Sequence, residues 1–335
     1  MKSEIQPIYF EDGAFKDLFL GFISYKRSCG LKYGDSCEYV LRTINKKLNG
    51  CNLDEPKLTQ ELVNELVEKR PCEKYSTQSR RITLLRQFAL YLTNHGVEAY
   101  VYPERSIHTE ETTFVPHIFS DSEMEAIFKV ADNLPSIKHY PCYQMVYPVL
   151  VRMLYSCGLR VSEALYLRLK DVDLEKGTLY IDKSKNSKSR IVPMSASMTV
   201  VCQRYICIRF GNSMPEPERY LFEAPDGGHY SRGSVRSKIQ KIFKEADIAR
   251  LSNGLYPRIH DLRHTQAVKA LEKMQESGMD LYCSLPLISA YLGHKGIRET
   301  ERYLRLPQFR LEEIAQSSKK LIEGMIPEVQ WDEES

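Results

Sequence analysis

Between Tyr102 and His117 the chain loses its hydrophobic rhythm. The stretch is polar, holds Pro103 and Pro116, and shows no helical or strand period. Directly after it, Ser120-Asp-Ser-Glu123 stands ahead of Ile127 and Phe128. Ser120 and Glu123 have the spacing of a capping box, each satisfying a backbone N–H at the other's end, so a helix and a new domain begin there. The stretch reads as an interdomain linker. With 335 residues, 42% of them hydrophobic and 27% charged, it has material for two ordinary domains. The expected division is a first domain over 1–108, a linker over 109–118, a second domain over 119–325 and an acidic tail over 326–335.

The first domain reads as helical. Phe15, Leu18, Phe19, Phe22 and Ile23 form one stripe in a helical region running from Asp12 to about Asn49, and Leu58, Leu62 and Leu66 form another. From Ser76 to His95 the chain has no acidic residue but carries Arg80, Arg81 and Arg86. There Ile82, Leu85, Phe88, Ala89 and Leu92 make an apolar face, with Thr83, Arg86, Gln87 and Asn94 on the opposite arc. Such an arc suits a phosphate backbone, or is simply a solvated basic surface.

In the second domain, Met145 to Cys157 reads as a buried helix stopped by Gly158, with Pro148 placed in its first turn. A short helix follows from Val161 to about Leu169. Thr178–Lys183 and Ser189–Val192 form a hairpin joined by residues 184–188, and the hairpin carries Lys183, Lys185, Lys188 and Arg190. Helical patterns then continue to about Met325. The fold class expected is mainly α with one small antiparallel sheet.

Composition narrows the function weakly. Net charge is only +3, and the acidic residues of the tail mask a more basic body. The nine cysteines form no Cys-x-x-Cys pair, which disfavours a zinc site or a disulfide framework and suits a reducing cytosol. The first residues lack the apolar stretch of a signal peptide, and no run approaches the roughly 18 apolar residues of a membrane span.

Chemistry gathers late in the chain. His260-Asp-Leu-Arg263-His264-Thr265 places His260 and Arg263 on one helical face if the segment is helical. A guanidinium forks two N–H groups onto phosphate oxygens, and a histidine beside it can exchange a proton. About a hundred residues earlier, Gly158-Leu-Arg160-Val-Ser-Glu163 puts a cation at a helix N-terminus, the wrong end of the dipole. Either a bound phosphate or the Glu163 carboxylate offsets it. Leu292-Gly-His294 adds another imidazole. Tyr303, near these cations, carries a hydroxyl that is a poor nucleophile at its ordinary pKa near 10 without them. The lysines of the hairpin either enter a DNA groove or guard an exposed edge.

In this order and spacing the boxes resemble those of the tyrosine recombinases: phage-type integrases, Xer-type resolvases and recombinases of conjugative elements. The resemblance covers about Phe119 to Leu306 with specific motifs, and the N-terminal helices weakly. It implies a C-shaped clamp of a core-binding domain and a catalytic domain. It implies that Arg160 and Arg263 bind the scissile phosphate, that His294 contacts it, and that His260 assists proton transfer at the nucleophile. It implies that Lys185 protonates the leaving 5′ oxygen, that Glu163 supports the pocket, and that Tyr303 attacks to give a 3′-phosphotyrosyl link. No metal or cofactor is implied. The partner implied is a double-stranded DNA recombination site, held by a homotetramer on two sites, with room for an accessory protein or partner recombinase. Arg80, Arg86, Gln87, Lys183 and Lys188 are the expected further DNA contacts. The setting implied is the cytoplasm and nucleoid of a prokaryote, or the product of a mobile element. Residues 275–286 look like an insert, and no separate arm-binding domain is expected before residue 12. Competing readings are an Xer-like resolvase, a DNA-binding protein with a relict catalytic fold, a histidine phosphatase and a type IB topoisomerase.

Overall fold

A computed structural model describes residues 9–31, 33–51, 53–104, 115–136, 142–182, 189–211, 216–294 and 296–301. Lys183, Lys185, Lys188 and Tyr303 lie outside the described residues, as do the segment expected to form a C-terminal helix and the acidic tail. The chain divides into two compact units, 1–113 and 114–335.

The first unit holds α1 (Lys16–Ser28), α2 (Asp35–Asn49), α3 (Gln60–Val67) and α4 (Tyr75–Asn94). The stripe expected from Asp12 to Asn49 is thus two helices. Gly30 takes φ +76 after α1, and Gly34 is the extended N-cap of α2. Between them the chain turns in a way one helix could not. Aromatic rings fill the core: Phe88 of α4 stacks on Phe19 at 4.0 Å and meets Phe15 and Phe22 edge-on. Such offset and edge contacts add to what apolar burial supplies.

The second unit opens on α5 (Asp121–Asp132), whose N-cap is the expected capping box of Ser120 and Glu123. The apolar α6 (Tyr143–Ser156) lies at the centre, packed on α5, α8 (Ala196–Phe210) and α10 (Asp261–Glu276). Pro148 is not in the first turn of α6. The helix starts five residues earlier, and Pro148 sits inside it. The carbonyl of Pro148 accepts from Arg152 at 3.2 Å, and Arg152 also grips Asp132 with two bonds of 2.6 Å. After the short α7 (Val161–Tyr166) come β1 (Val172–Asp173), β2 (Thr178–Ile181) and β3 (Arg190–Pro193), an antiparallel sheet in chain order. The strand not expected from sequence, β1, is two residues long and carries no alternation to read there. Leu179, Ile181 and Val192 face the core, while Tyr180 and Ile191 face outward. Then follow α9 (Arg232–Glu245), α11 (Leu281–Leu292) and α12 (Ile297–Glu301). Residues 275–286 form the end of α10, a turn and the start of α11, with Asp280 as N-cap.

Candidate active site

Three backbone breaks bring the boxes together. Gly158, at φ +58, ends the α6 segment where a Cβ would stand 2.7 Å from Gln266 Oε1 and 3.0 Å from Leu292 Cδ2. Its carbonyl is thereby aimed at α10, where it accepts from Arg263 Nη1 at 2.7 Å. Gly293 caps α11 in the left-handed conformation, which glycine adopts without the Cβ clash. A third break precedes α10, where Asp261 accepts from the backbone and guanidinium of Arg258 at 2.7 and 3.1 Å. His260 is the residue just before α10 and Arg263 lies in its first turn. Thr265 ties this helix to the start of the unit, accepting from the Phe119 backbone N–H at 3.0 Å.

Around these breaks stands a group of arginines that converge on one carboxylate. Glu163 in α7 has a side chain only 5% exposed and accepts from Arg160 Nη1 at 2.7 Å and from the Arg160 backbone N–H at 2.9 Å. Arg190 on β3 forks onto the same carboxylate at 3.1 and 2.8 Å. Arg263, 1% exposed, stands 3.7 Å away and donates to the carbonyls of Gly158 and Leu292. Burial would raise the Glu163 carboxyl. Hydrogen bonds and charge from Arg190, then Arg160, outweigh it and pull the pKa down to about 2. Glu163 is therefore an anion at any physiological pH. Among the described residues, three guanidinium groups share this one carboxylate.

The imidazoles sit in the same field. Burial, then the charges of Arg263, Arg258 and Arg160, push His260 down to about 4. Burial, then Arg263 and Arg160, hold His294 at about 3, and its Nδ1 lies 2.8 Å from Thr300 Oγ1. His264 is held at about 3 by burial and then by His260, whose ring it meets edge-on at 4.8 Å. All three rings are neutral at pH 7, the form that can accept a proton.

The structure thus gathers Arg160, Glu163, His260, Arg263 and His294. The pairing of Arg160 with Glu163 is present, and the same guanidinium also reaches toward the Gly293 carbonyl at 3.4 Å. Arg190 belongs to the group; the sequence marked it as part of a basic hairpin and as the last position of a Lys-x-x-Lys-x-Arg turn that resembles the family's, with no role of its own. Its pairing with Glu163 spans 27 positions, beyond any local periodicity. Thr300 had no signal in sequence. In the first unit, Arg80 donates to Ser36 at 2.6 Å, Arg86 pairs with Glu104 at 3.4 Å and Gln87 accepts from Tyr33 at 2.6 Å. Arg81 faces inward, paired with Glu73 at 2.7 Å. Among the described residues no group of three His, Cys, Asp or Glu side chains is arranged to hold a metal. No helix of the described residues is long and apolar enough to cross a membrane.

Residues 118–308 match the phage integrase family. The chain belongs to that family, and it is a tyrosine recombinase, an enzyme that cleaves and rejoins DNA strands. A Sinorhizobium fredii protein carrying the name integrase/recombinase y4rB is 27% identical over 75% of this chain and 81% of its own length. The tyrosine recombinase XerC of Oceanobacillus iheyensis is 29% identical over 73% and 75%. Among solved structures, the XerH recombinase bound to palindromic difH covers 89% of this chain and 83% of its own at TM-score 0.64 and 19% identity. The Tn1549 transposon integrase with transposon right end DNA covers 89% and 99% at TM-score 0.62 and 16% identity. Both share the fold: a mainly helical chain with a small antiparallel sheet.

Proposed function

We propose that this recombinase integrates and excises a mobile element at a specific double-stranded DNA site, through a 3′-phosphotyrosyl intermediate and a Holliday junction. The observation that carries the reading is the convergence of three guanidinium groups on Glu163, beside the imidazoles of His260 and His294. A scissile phosphodiester, gaining charge as it becomes a phosphorane, is the partner such a group suits.

In this reading Arg160 and Arg263 hold the non-bridging oxygens and His294 contacts the same phosphate. His260, a neutral ring, assists removal of the Tyr303 proton. The Tyr303 oxygen attacks phosphorus, the bond to the 5′ oxygen breaks, and Lys185 supplies that oxygen with a proton. The phosphotyrosyl link keeps the energy of the broken bond. A 5′ hydroxyl from the partner strand then displaces Tyr303, so neither ATP nor a metal takes part. Each preorganised donor to the phosphorane contributes about 3–4 kcal/mol, and proton transfer from Lys185 roughly 10²–10⁴ in rate. Lys183, Lys188, Arg80, Arg86 and Gln87 hold flanking DNA, and a homotetramer spans two sites, residues 310–325 linking its protomers. In this reading residues 1–108 are a core-binding domain, 109–118 a linker and 119–325 the catalytic domain.

The likeness to XerC over most of both chains favours a second reading, a chromosome or plasmid resolvase. Cleavage assays on the DNA flanking the protein's own gene, beside a replicon resolution site, separate the two. The mechanism is tested with Tyr303→Phe on a nicked substrate that traps the covalent species. The variant should bind the site as wild type does and form no adduct stable to denaturant. An adduct that survives the substitution would remove Tyr303 from its role.

A further inference from the structure

Arg190 is the arginine of the cluster to which no role in phosphate chemistry has been given. Its three guanidinium nitrogens are each engaged within the protein. Nε donates to the Tyr291 carbonyl at 2.9 Å, while Nη1 and Nη2 fork onto Glu163 at 3.1 and 2.8 Å. Its side chain is 10% exposed, against 17% for Arg160. It also packs against the turn that carries His294. A Cβ on Gly293 would stand 3.0–3.2 Å from the Arg190 side-chain atoms, so the glycine there admits the guanidinium as well as the left-handed backbone.

Three elements meet at this one side chain. β3 supplies Arg190, α7 supplies Glu163, which in turn orients Arg160, and the C-terminal end of α11 supplies the Tyr291 carbonyl and Gly293, next to His294. We infer that Arg190 is a positioning residue for strand cleavage: it fixes Glu163, and with it Arg160, against the Gly293–His294 turn, and contacts no DNA phosphate itself. A lysine could keep the charge. It could not hold a carboxylate by two parallel bonds and a carbonyl by a third, because that needs the planar fork.

The inference deepens the proposed mechanism and rests on it for its kinetic part. Arg190→Lys should bind the recombination site with wild-type affinity and an unchanged slope of log affinity against log salt. A lost phosphate contact would lower that slope by about one. At saturating DNA its adduct should form about 10²-fold more slowly, the scale expected when reacting groups are displaced by roughly 1 Å. A second readout needs no cleavage. In the DNA-free protein, the His294 ring resonances should move in Arg190→Lys, with the fold checked by thermal melting. If the lysine variant melts well below wild type, Glu163→Gln combined with Arg190→Met removes both buried charges and must show the same slow cleavage at unchanged salt slope.

A wild-type rate in either folded variant, or a salt slope reduced by about one in the Arg190→Met pair, overturns the positioning role. Unmoved His294 resonances do the same. Moved resonances in a protein whose wild type forms no adduct would instead support the positioning role and refute the proposed mechanism.

Discussion

Both units bury an arginine, and the two burials are built differently. In the first unit Arg81 of α4 meets Glu73 at 2.7 and 3.2 Å and donates to the carbonyls of Leu66 and Glu68, so one cation faces one anion and the neighbouring turns use up its edges. In the second unit Arg160, Arg190 and Arg263 share the single carboxylate of Glu163. The first arrangement is closed and holds a helix to the turns before it. In the second, among the described residues, three guanidinium groups converge on one carboxylate beside the imidazoles of His260 and His294. A buried guanidinium is therefore no mark of function by itself; what gathers around it is.

The sharpest way to break this comparison is to remove one arginine from each unit. Arg81→Met leaves Glu73 buried without its partner and should lower the stability of the first unit by about 3–5 kcal/mol. The cleavage rate per folded molecule should stay near wild type. Arg263→Met should do the reverse to activity, cutting the cleavage rate at saturating DNA by about 10²–10³-fold. Denaturant titration beside single-turnover adduct formation reads both. If Arg81→Met slows cleavage in folded protein as much as Arg263→Met does, the distinction between the two clusters fails.

Acid should separate the units next. His260, His264 and His294 have an ordinary pKa of 6.5 and fall to about 4, 3 and 3 in the fold. The unfolded chain binds those protons first, so stability is complete above pH 6.5 and is lost as pH falls toward 4 and 3. Glu163 adds a loss in the same direction between its ordinary 4.5 and about 2. In the first unit Glu73 is also lowered, chiefly by its hydrogen bond to Arg81, but a carboxylate starts to matter only near its ordinary 4.5. Hydrogen exchange between pH 7 and 5 should therefore show faster opening in α10 and around Gly293, with little change in α4. Equal acceleration in both units would contradict this.

The smallest effect belongs to the surface of α4. If that face lies on DNA, Arg86→Ala should weaken binding modestly and reduce the salt slope by about one. Its contact with the exposed Glu104 is a weak surface pair and should not mask the loss. Unchanged affinity and slope would place this face in solvent.

What sequence made legible follows from how local each signal is. The Ser120–Glu123 cap, the apolar face of α4 and the β2–β3 pairing each lie within a few residues, and each is present in the fold. The family's boxes made Arg160, Glu163, His260, Arg263 and His294 legible as candidates because short motifs fix them. The interior place of Pro148 was hidden because the helix starts at Tyr143, before the Met145 start read from sequence, although an interior proline forgoes a backbone hydrogen bond. The pairing of Arg190 was hidden for a different reason. Its partners, Glu163 and the Tyr291 carbonyl, lie 27 and 101 positions away, and only the folded chain brings them to one side chain.

In the proposed mechanism this cationic group holds a DNA phosphate for attack by Tyr303 without a metal. The most direct measurement is to trap the wild-type adduct on a nicked recombination site in excess EDTA, digest it, and identify the peptide joined to the 3′ phosphate. The account predicts an adduct in undiminished yield, on the peptide that contains Tyr303. An adduct on any other residue, or cleavage that EDTA abolishes and magnesium restores, would contradict it.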